Sequence, residues 1–482
     1  MVSPSSRRIV IEPLTRVEGH GKVTILLDES HRVQSARLHI VEFRGFERFI
    51  QGRPFWELPV LVQRLCGICP VSHHLCAAKA VDGILGIDQL TPAGEKMRRL
   101  MHYGQIFQSH ALHFFYLAAP DLLFGFDAPV AKRNIVGVIQ EHPGLALQGV
   151  KMRQFGQEVI RATAGKKIHG TGAIPGGINK SLSLPERDSL LADLDPMLAW
   201  SREAVALARD YTLRNFEELA GFGSFDSNHV ALVRADGAMD LYDGKLSAVD
   251  RQGATILDQV DPQDYLTVVA EEVRPWSYMK FPYLKQLGAA EGWFRVGPLA
   301  RLNVCSFIGT PEAEAARSEF FAAVGGRPCH MTMAYHWARM IELLHAAEVI
   351  AGLLHDADLQ SDDRVAPAGA RRSEYVAMLE APRGALTHHY KVDENDLVTM
   401  ANLIVSTTCN NEAMNQAVGR IAEQQLAGRA EISEGLLNSI EVGIRAYDPC
   451  LSCATHAIGQ MPLEVTLVDG DGSVLDRRAR PS

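Results

Sequence analysis

Residues 64–73, RLCGICPVSH, and residues 448–456, DPCLSCATH, lie near opposite ends of the chain and decide its fold. Each contains a C-x-x-C pair followed by a histidine. A C-x-x-C pair brings two sulfur atoms onto one turn, close enough to share a metal, and thiolates suit nickel, iron, copper or zinc. Four thiolates carry a charge of about −4, which cannot be buried unless a metal compensates it. The two pairs therefore predict one metal site that joins the two ends of the chain.

The wide separation of the pairs argues against a structural zinc ribbon. Zinc ribbons have their pairs about 15–20 residues apart because they staple a small unit. Here nearly the whole 482-residue chain lies between the pairs. An iron–sulfur cluster on four cysteines, or a redox dithiol at either pair, stays open on spacing alone. Spacing thus supports a joint metal site without identifying the metal.

The overall composition is that of an ordinary soluble globular protein. Hydrophobic residues make up 47% of the chain, charged residues 22%, and the formal net charge is −9. This mild acidity, without a dense Lys/Arg tract, argues against a nucleic-acid surface. No run approaches the roughly 18 apolar residues of a membrane span, and the N-terminus lacks an apolar signal core. We therefore expect a cytoplasmic chain with no membrane span.

Helical periodicity dominates two parts of the chain, about 55–220 and about 310–456. Pro196 interrupts one of the long helical patterns and predicts a kink there. No internal repeat or low-complexity linker divides the sequence. Long helices from separate parts of the chain predict one helical core.

Alternating apolar and polar residues predict strands in four places. They are a small antiparallel sheet at about 8–41, a peripheral β excursion at about 228–260, a hairpin at 385–405, and a strand–turn–strand segment around residues 469–472. Together with the helices, they predict a mainly α (α+β) fold in which residues 1–456 form one domain.

Five motifs together resemble the signatures of the nickel–iron hydrogenase large subunit. The two cysteine stretches match its R-x-C-G-x-C-x-x-x-H and D-P-C-x-x-C-x-x-H signatures. The other matches are RVEGH at 16–20, RGFE at 44–47 and APRG at 381–384. They occur in the same order as in the family, and their residues most resemble those of the soluble, bidirectional, NAD-reducing branch. The resemblance implies the fold of that subunit, a central bundle of long helices with small peripheral antiparallel sheets.

The resemblance implies a nickel–iron centre on the four cysteines. Cys66 and Cys450 would be terminal nickel ligands, and Cys69 and Cys453 would bridge nickel to iron. Carbon monoxide and cyanide would complete the iron's ligands. Heterolytic cleavage of dihydrogen needs an electrophilic metal with an open position and a nearby base. A terminal thiolate such as Cys450 is itself suited to be the first base.

Two charged residues gain catalytic roles from the resemblance. Taken alone, Glu18 would be an ordinary surface or salt-bridged group, and Arg383 a surface cation. In the family, this glutamate takes the proton from the terminal cysteine, and a carboxylate in a dry site can relay protons in both directions. The arginine lies over the open metal position, where its permanent charge and several donors suit it.

Five further residues match family positions that support the centre. His73 would hydrogen-bond to a bridging sulfur and tune it. Pro382 would shape the roof over the metals, and Asp448 would pair near the arginine. Ser406 and Thr407 would hydrogen-bond to the diatomic ligands of the iron.

A magnesium ion is the second metal that the resemblance implies. Glu47, the backbone carbonyl near Leu403, and His456 match its ligands. Glutamate and carbonyl oxygens suit a hard cation, whereas histidine is less typical.

One position departs from the membrane-attached members of the family. Where they carry an aspartate before a histidine, in the helix after the first cysteine pair, this chain has Ser109-His110. The polarity of the active-site roof is therefore expected to differ.

The resemblance implies a catalytic subunit that oxidises dihydrogen reversibly to protons and electrons. No G-x-G-x-x-G follows a strand, and no other cysteine group suits an iron–sulfur cluster. Electrons would therefore pass to a small subunit with an iron–sulfur cluster, and then to diaphorase subunits that hold FMN and NAD. A hydrogenase linked to NADP or to a deazaflavin is an alternative that stays open. A non-catalytic structural subunit related to the quinone-reducing respiratory complex is an alternative from a different class, although the four cysteines argue against it.

Relatives carry a C-terminal extension that a dedicated protease removes after nickel chaperones have inserted the metal. Residues 457–482 match this extension. We therefore expect mature protein to end at His456.

Overall fold

The computed structural model describes residues 7–455, apart from 44, 427–428 and 430–432, together with residues 463–468 and 474–480. His456 and Arg44 of the motifs above lie outside the described residues. Among the helices of the described part, none is both long enough and apolar enough to cross a bilayer.

Long helices form the centre of the molecule. Within the described residues, the α-helices are α1 (Phe46–Phe49), α2 (Leu58–Leu61), α3 (Pro70–Ile84), α4 (Pro92–Leu112), α5 (Ala119–Phe124), α6 (Ile135–Glu141), α7 (Pro143–Ala164), α8 (Leu184–Ala192), α9 (Leu194–Arg214), α10 (Phe216–Gly221), α11 (Tyr265–Val268), α12 (Gly288–Glu291), α13 (Pro298–Val304), α14 (Pro311–Ala323), α15 (Ala334–Leu354), α16 (Ser406–Cys409), α17 (Asn411–Leu426) and α18 (Glu434–Ala446).

The bundle is built from α4, α7, α9 and α15. Helix α4 packs against α7 and α15, and α15 also packs against α9. Most of α15 is buried on all sides, as expected for a helix that is apolar around its whole circumference. Helices α4 and α7 approach each other closely at Gly156, where an added Cβ would lie 2.7 Å from the Cβ of Gln108. The predicted helical core is therefore confirmed.

Two helices differ from the prediction in detail. The expected kink at Pro196 is a break, because α8 ends at Ala192 and α9 begins at Leu194. Proline lacks an N–H and clashes with the preceding turn, so it is tolerated in the first turn of a new helix. Helix α4 ends at Leu112, and the chain continues through a π-helical turn at His113–Ala118, which the sequence did not predict, into α5.

The sheets are small and surround the bundle. Within the described residues, the strands are β1 (Arg7–Ile11), β2 (Gly21–Leu27), β3 (Val33–Ile40), β4 (Ala173–Ile174), β5 (Gly177–Ile178), β6 (Asn228–Val233), β7 (Ala238–Met239), β8 (Lys245–Val249), β9 (Thr255–Val260), β10 (Val269–Glu272), β11 (Phe281–Leu284), β12 (Phe294–Arg295), β13 (Phe307–Ile308), β14 (Glu374–Ala381), β15 (Gly384–Val392), β16 (Val398–Ile404), β17 (Leu463–Val468) and β18 (Val474–Arg480).

The N-terminal sheet has the order β1-β2-β3 and is antiparallel, as predicted. Its β2 alternates buried and half-buried residues, the period-two pattern of a strand with one face on the core. The sheet rests on α17, where the Leu38 N–H donates to Asn415 Oδ1 at 2.8 Å. The loop between β1 and β2 is therefore held beside the helices that precede the second cysteine pair.

Two sheets are larger than the sequence pattern suggested. The β excursion is a six-stranded sheet with the order β13-β7-β6-β8-β9, and β12 pairs with β6. Its β6 is buried along its whole length. Two strands from distant segments join the sheet in parallel, β12 beside β6 and β13 beside β7. The hairpin at 385–405 is a three-stranded antiparallel sheet, β14-β15-β16, because β14 also pairs with β15. Strand pairing between distant segments leaves no local sequence pattern, so these additions were missed.

The expected strand–turn–strand segment near the C-terminus is present as β17 and β18, which pair antiparallel. The residues between the two strands lie outside the described part.

Candidate metal centre

Four cysteines from the two ends of the chain meet in one buried cluster. Cys66, Cys69, Cys450 and Cys453 each offer a sulfur atom, and these atoms lie within 4.8 Å of one another. The Sγ atoms of Cys66 and Cys450 are 3.2 Å apart although 384 residues separate them. All four side chains are 5% exposed or less. The two C-x-x-C pairs therefore form one joint site.

Local backbone structure presents the first pair. Cys69 is the N-cap residue of α3, which begins at Pro70, and proline is favoured at the first helical position because its missing N–H needs no partner there. The N–H groups of Ile68 and Cys69 donate to Cys66 Sγ at 3.3 and 3.2 Å. Backbone N–H donors stabilise negative charge on sulfur, so the turn suits a thiolate ligand.

The second pair follows α18 directly. Asp448 has a φ of 54°, a conformation that reverses the chain and that aspartate tolerates better than most residues. The Cys450 N–H donates to Thr407 Oγ1 at 3.0 Å, and Thr408 Oγ1 donates to the Ala454 carbonyl at 3.1 Å. Helix α16 therefore holds the second cysteine loop at both of its ends.

The donor set fits soft transition metals. Burial raises the pKa of Cys450 and that of Cys453 well above the ordinary thiol value, and neighbouring thiols add to the rise at Cys450. Four buried thiolates would be strongly destabilised without a cation, and soft sulfur ligands suit nickel and iron. The other four cysteines, Cys76, Cys305, Cys329 and Cys409, are buried away from this cluster.

Glu18 reaches the cluster from the loop between β1 and β2. Its Oε2 accepts hydrogen bonds from Cys450 Sγ at 3.0 Å and from the Ser452 N–H at 3.2 Å. The Ser452 hydroxyl donates to Oε1. Residues 18 and 450 also form a parallel β-bridge, in which the Leu451 N–H donates to the Glu18 carbonyl at 3.0 Å. Backbone pairing therefore fixes the carboxylate against the sulfur. Ser452 carries no motif signal and was not singled out from the sequence.

Arg383 and Asp448 form a buried ion pair beside the cysteines. Arg383 Nη2 lies 2.9 Å from Asp448 Oδ1, and Arg383 Nε donates to the Asp448 carbonyl. Burial alone lowers the pKa of Arg383, but Asp448 and the cysteine sulfurs outweigh it and raise that pKa well above its usual value. The residue that departs from the family, Ser109, accepts from Arg383 Nη1 at 3.3 Å. A neutral hydroxyl therefore contacts Arg383 at the position where the sequence led us to expect a change in polarity.

A second buried arginine holds the turn that carries Arg383. Arg301 donates to the carbonyls of Ala381 and Pro382 at 3.1 and 3.3 Å. It also forms ion pairs with Glu342 at 2.5 Å and Glu380 at 2.6 Å. The planar guanidinium fork can serve several acceptors at once. Nothing in the spacing of Arg301 suggested this function.

The remaining residues expected near the cysteines lie on α3, at the start of α16 and at the turn between β14 and β15. His73 lies in the first turns of α3, which begins directly after Cys69, and its Nδ1 lies 3.2 Å from His388 Nε2. Its expected hydrogen bond to a bridging sulfur stays a prediction. The Ser406 hydroxyl donates to the Gly384 carbonyl at 2.7 Å, and Thr407 holds the Cys450 N–H as described. Pro382 is buried at the turn between β14 and β15.

Part of the expected magnesium site is brought together. Glu47 Oε1 accepts from the Leu403 N–H at 2.8 Å, so the carboxylate lies against the strand that carries the Leu403 carbonyl. His456 lies outside the described residues. The magnesium site therefore stays a prediction.

Comparisons with known proteins agree with the geometry. The family model described as Nickel-dependent hydrogenase matches residues 44–132 and 224–456, and a model described as HoxL-like matches residues 8–43. The beta subunit of the NAD-reducing hydrogenase HoxS of Cupriavidus necator is 49% identical, covering 98% of this chain and 100% of the relative. An F420-non-reducing hydrogenase subunit of Methanothermobacter thermautotrophicus is 41% identical, covering 98% of this chain and 99% of the relative.

Solved structures give the same result. The crystal structure of an NAD+-reducing [NiFe]-hydrogenase in the H2-reduced state has a TM-score of 0.91 and 57% identity, covering 93% of this chain and 99% of that one. The Ni-Fe-Se hydrogenase of Desulfovibrio vulgaris Hildenborough shares the fold at a TM-score of 0.75 and 22% identity, covering 94% of this chain and 100% of that one. The expected fold class is confirmed, and the chain belongs to the nickel-dependent hydrogenase large-subunit family.

Proposed function

We propose that this chain is the catalytic subunit of an NAD-reducing nickel–iron hydrogenase, which converts H2 and NAD+ to NADH and H+. The observation that carries the proposal is the meeting of four buried sulfur atoms, within 4.8 Å, from the two ends of the chain. A metal-free structural subunit would have no need of four thiols in one cluster, since buried thiolates require a compensating cation.

In this proposal, Cys66 and Cys450 would hold nickel, and Cys69 and Cys453 would contribute their sulfurs to both nickel and iron. Carbon monoxide and cyanide would complete the iron's ligands, with Ser406 and Thr407 as their hydrogen-bond partners. When bound, the metal pair supplies the electrophile that polarises dihydrogen for heterolytic cleavage. The protein's task is then to hold the sulfur atoms and to move the proton.

Proton transfer falls to Cys450 and Glu18. The sulfur of Cys450 accepts the proton first, and Glu18 Oε2 takes it across the 3.0 Å hydrogen bond. The Ser452 hydroxyl on the other carboxylate oxygen can orient Glu18 in both of its protonation states, because a hydroxyl both donates and accepts.

Arg383 supplies a permanent positive charge next to the sulfur cluster. Its guanidinium is kept in one orientation by Asp448 through two contacts. A charge that is already oriented before the reaction costs no reorganisation during it. Pro382 stiffens the turn that carries the arginine.

Electrons leave through partner subunits. The described residues contain one cluster of metal-ligating side chains, the four cysteines, so an onward electron carrier must be supplied in trans. The relative from Cupriavidus necator is named as one subunit of an NAD-reducing hydrogenase, which supports a small subunit with an iron–sulfur cluster and diaphorase subunits with FMN and NAD.

We also assign a magnesium ion to Glu47, the Leu403 carbonyl and His456. We expect the complex to work in the cytoplasm.

Metal analysis with a hydrogen-dependent assay tests the proposal. Purified complex should contain nickel and iron in about equal amounts and should reduce NAD+ with H2. Cys66→Ser and Cys450→Ser should lose nickel or abolish activity. Cys305→Ser is the matched control, because Cys305 is buried and lies outside the cluster. Normal activity in either ligand variant would refute the assignment, and preference for NADP+ or a deazaflavin would change the acceptor only.

Maturation involves the tail. We propose that residues 1–456 form the mature domain, and that a protease removes residues 457–482 after nickel chaperones have acted. Cys450 and Cys453 are 0% and 1% exposed, so the loop that carries them must close over the metals. Intact-mass measurement tests this. Active enzyme should end at His456, whereas protein made without nickel should retain the extension. Fully active, metal-loaded enzyme that still carries residues 457–482 would contradict the proposal.

A further inference from the structure

Asp121 of α5 is a buried carboxylate that joins two distant parts of the chain. It is 2% exposed and was not singled out from the sequence. Arg16 donates from Nη1 to Asp121 Oδ2 at 2.9 Å and from Nη2 to Oδ1 at 2.5 Å. Arg445 Nη1 donates to Oδ2 as well, and the Asn438 amide donates to Oδ1 at 3.2 Å. One carboxylate therefore ties the N-terminal segment to α18.

The two arginines lie close in sequence to the two partners of the proposed proton transfer. Arg16 precedes Glu18 by two residues, and Arg445 lies in the last turn of α18, five residues before Cys450. Arg16 has a φ of 53°, a conformation that a residue other than glycine keeps only when its surroundings fix it. Asp121 thus fixes the backbone on both sides of the Glu18–Cys450 contact.

The negative charge of Asp121 allows the two arginines to lie together. Their Nη2 atoms lie 3.5 Å (Arg16) and 3.2 Å (Arg445) from the same oxygen, Asn438 Oδ1, so two like charges converge on one amide. Burial alone raises the pKa of Asp121, but Arg445 and Arg16 outweigh it and lower that pKa below its usual value. Asp121 is therefore ionised at neutral pH. If Asp121 were neutral, the guanidinium groups would repel each other and the N-terminal segment would move away from α18.

A second tie keeps the N-terminal segment attached when Asp121 is changed. The N–H and the hydroxyl of Thr15 donate to the Glu441 carboxylate at 3.1 and 2.5 Å, and Arg445 Nε donates to the Thr15 carbonyl at 3.2 Å. A neutral residue at position 121 should therefore let the segment pivot about Thr15 without detaching it.

We propose that Asp121 is a positioning residue, which holds Arg16 beside Arg445 and thereby keeps the Glu18 carboxylate at the sulfur of Cys450. Glu18 Oε2 lies 3.0 Å from Cys450 Sγ, and a misplacement of about 1 Å can cost roughly 100-fold in rate. Asp121 touches neither of these atoms and acts only through the segments that carry them. The inference rests on the proposed transfer of a proton from Cys450 to Glu18.

Asp121→Asn removes the charge and nearly keeps the shape. In the purified complex, hydrogen oxidation per bound nickel should fall by up to roughly 100-fold. The ratio of the rate in H2O to the rate in D2O should rise, because a longer proton transfer limits more of the turnover. A loss of folded protein alone would lower the nickel content and leave this ratio unchanged. A crystal structure of the variant should show Glu18 Oε2 farther from Cys450 Sγ than in the wild type.

Asp82→Asn is the matched control. Asp82 is 5% exposed, forms an ion pair with the buried Arg98 at 2.5 Å, and accepts from the Gly176 N–H at 2.7 Å. The same substitution therefore breaks a comparable buried ion pair away from the N-terminal segment. Asp82→Asn should lower thermal stability but keep the wild-type isotope ratio.

Arg16→Gln removes the charge on the other side of the same contact. It should also raise the isotope ratio, because Glu18 loses the same anchor. In the double variant with Asp121→Asn, both charges are gone and the repulsion with Arg445 disappears. The loss of rate in the double variant should therefore be smaller than the product of the two single losses.

A metal-loaded Asp121→Asn complex with the wild-type isotope ratio and an unchanged Glu18–Cys450 distance would overturn the inference and leave the proposed function intact. If Asp121→Asn does not assemble, the same two measurements on Arg16→Gln decide, since the Arg16 side chain is 16% exposed and its loss is better tolerated. Wild-type complex that binds no nickel or iron would instead refute the proposed function, and the inference with it.

Discussion

Cys450 Sγ lies 3.0 Å from Glu18 Oε2, although 432 residues separate the two in the chain. The contact does not depend on side chains alone, because the backbones of the same two residues form a β-bridge. A proton donor and acceptor held by their own backbones keep their separation constant, which is the geometric requirement for proton transfer between them.

Glu18→Gln should keep the metals but stop proton transfer. The amide is nearly isosteric with the carboxylate and cannot titrate at neutral pH, so the exchange between D2 and water should fall by about 10²- to 10⁴-fold. Infrared bands of the iron's ligands should persist. Glu12→Gln, in the same N-terminal segment but half exposed beside Lys22, is the control. Exchange at the wild-type rate in Glu18→Gln would mean that the proton leaves by another route.

Gly19→Ala should displace Glu18 from the sulfur. Gly19 has a φ of +82°, and a Cβ there would lie 2.6 Å from the Ser452 backbone nitrogen and 2.9 Å from Leu451 Cβ. Gly52→Ala is the matched control, since Gly52 has a φ of +77° but an added Cβ would meet nothing within 4 Å. Backbone strain of about 1–2 kcal/mol is common to both changes. Thermal unfolding and D2 exchange should therefore be impaired more in Gly19→Ala, and equal effects would mean that the clash is relieved without moving Glu18.

Arg301→Lys should lower hydrogen oxidation through Arg383. Lysine keeps the positive charge but cannot serve two carboxylates and two carbonyls at once, so the turn that carries Arg383 should shift. A misplacement of about 1 Å can cost roughly 100-fold in rate. Because the effect acts through Arg383, adding Arg301→Lys to Arg383→Lys should cause little further loss.

Arg317→Lys is the control for that cycle. Arg317 is 5% exposed and donates to the carbonyls of Leu302 and Cys305, without contact to the turn. Its effect should be independent of Arg383→Lys. If the losses in hydrogen oxidation rate caused by Arg301→Lys and by Arg383→Lys multiply fully in the double variant, Arg301 only stabilises the fold.

Buried histidines should make the protein acid-sensitive. Burial lowers the pKa of His102, His110 and His345 to about 4 and that of His336 to about 3. In the unfolded chain these rings protonate near the ordinary value of about 6.5. The unfolded state therefore binds more protons between about pH 6.5 and 4, so stability falls as the pH falls, by about 1 kcal/mol per pH unit for each histidine.

Denaturant unfolding between pH 7.5 and 5 measures this slope. His102→Gln should flatten it by about one proton, because glutamine can still donate to the carbonyls that His102 contacts and does not titrate. His355→Gln, at an exposed position, is the control and should leave the slope unchanged. A stability independent of pH in the wild type would contradict the prediction.

The fold was predictable to a large extent because its helices carry their own pattern. The apolar run of α15 and the start of α3 at Pro70 were both readable from local sequence. Strand β14 and the pairings of β12 and β13 were not, because each depends on a partner from a distant segment. Break and kink at Pro196 look alike in sequence, since proline disfavours the helix in both cases.

The sequence by itself determined the four cysteines of the candidate metal site. Two C-x-x-C pairs bring their own sulfurs together through local turns, and the motifs around them indicated the family. Only the tertiary structure decided which groups surround those sulfurs. Ser452 against Glu18 and Arg301 under the turn of Arg383 were invisible to spacing. Such contacts join residues tens to hundreds of positions apart, and their geometry is set by how the helices and sheets pack around the cysteines.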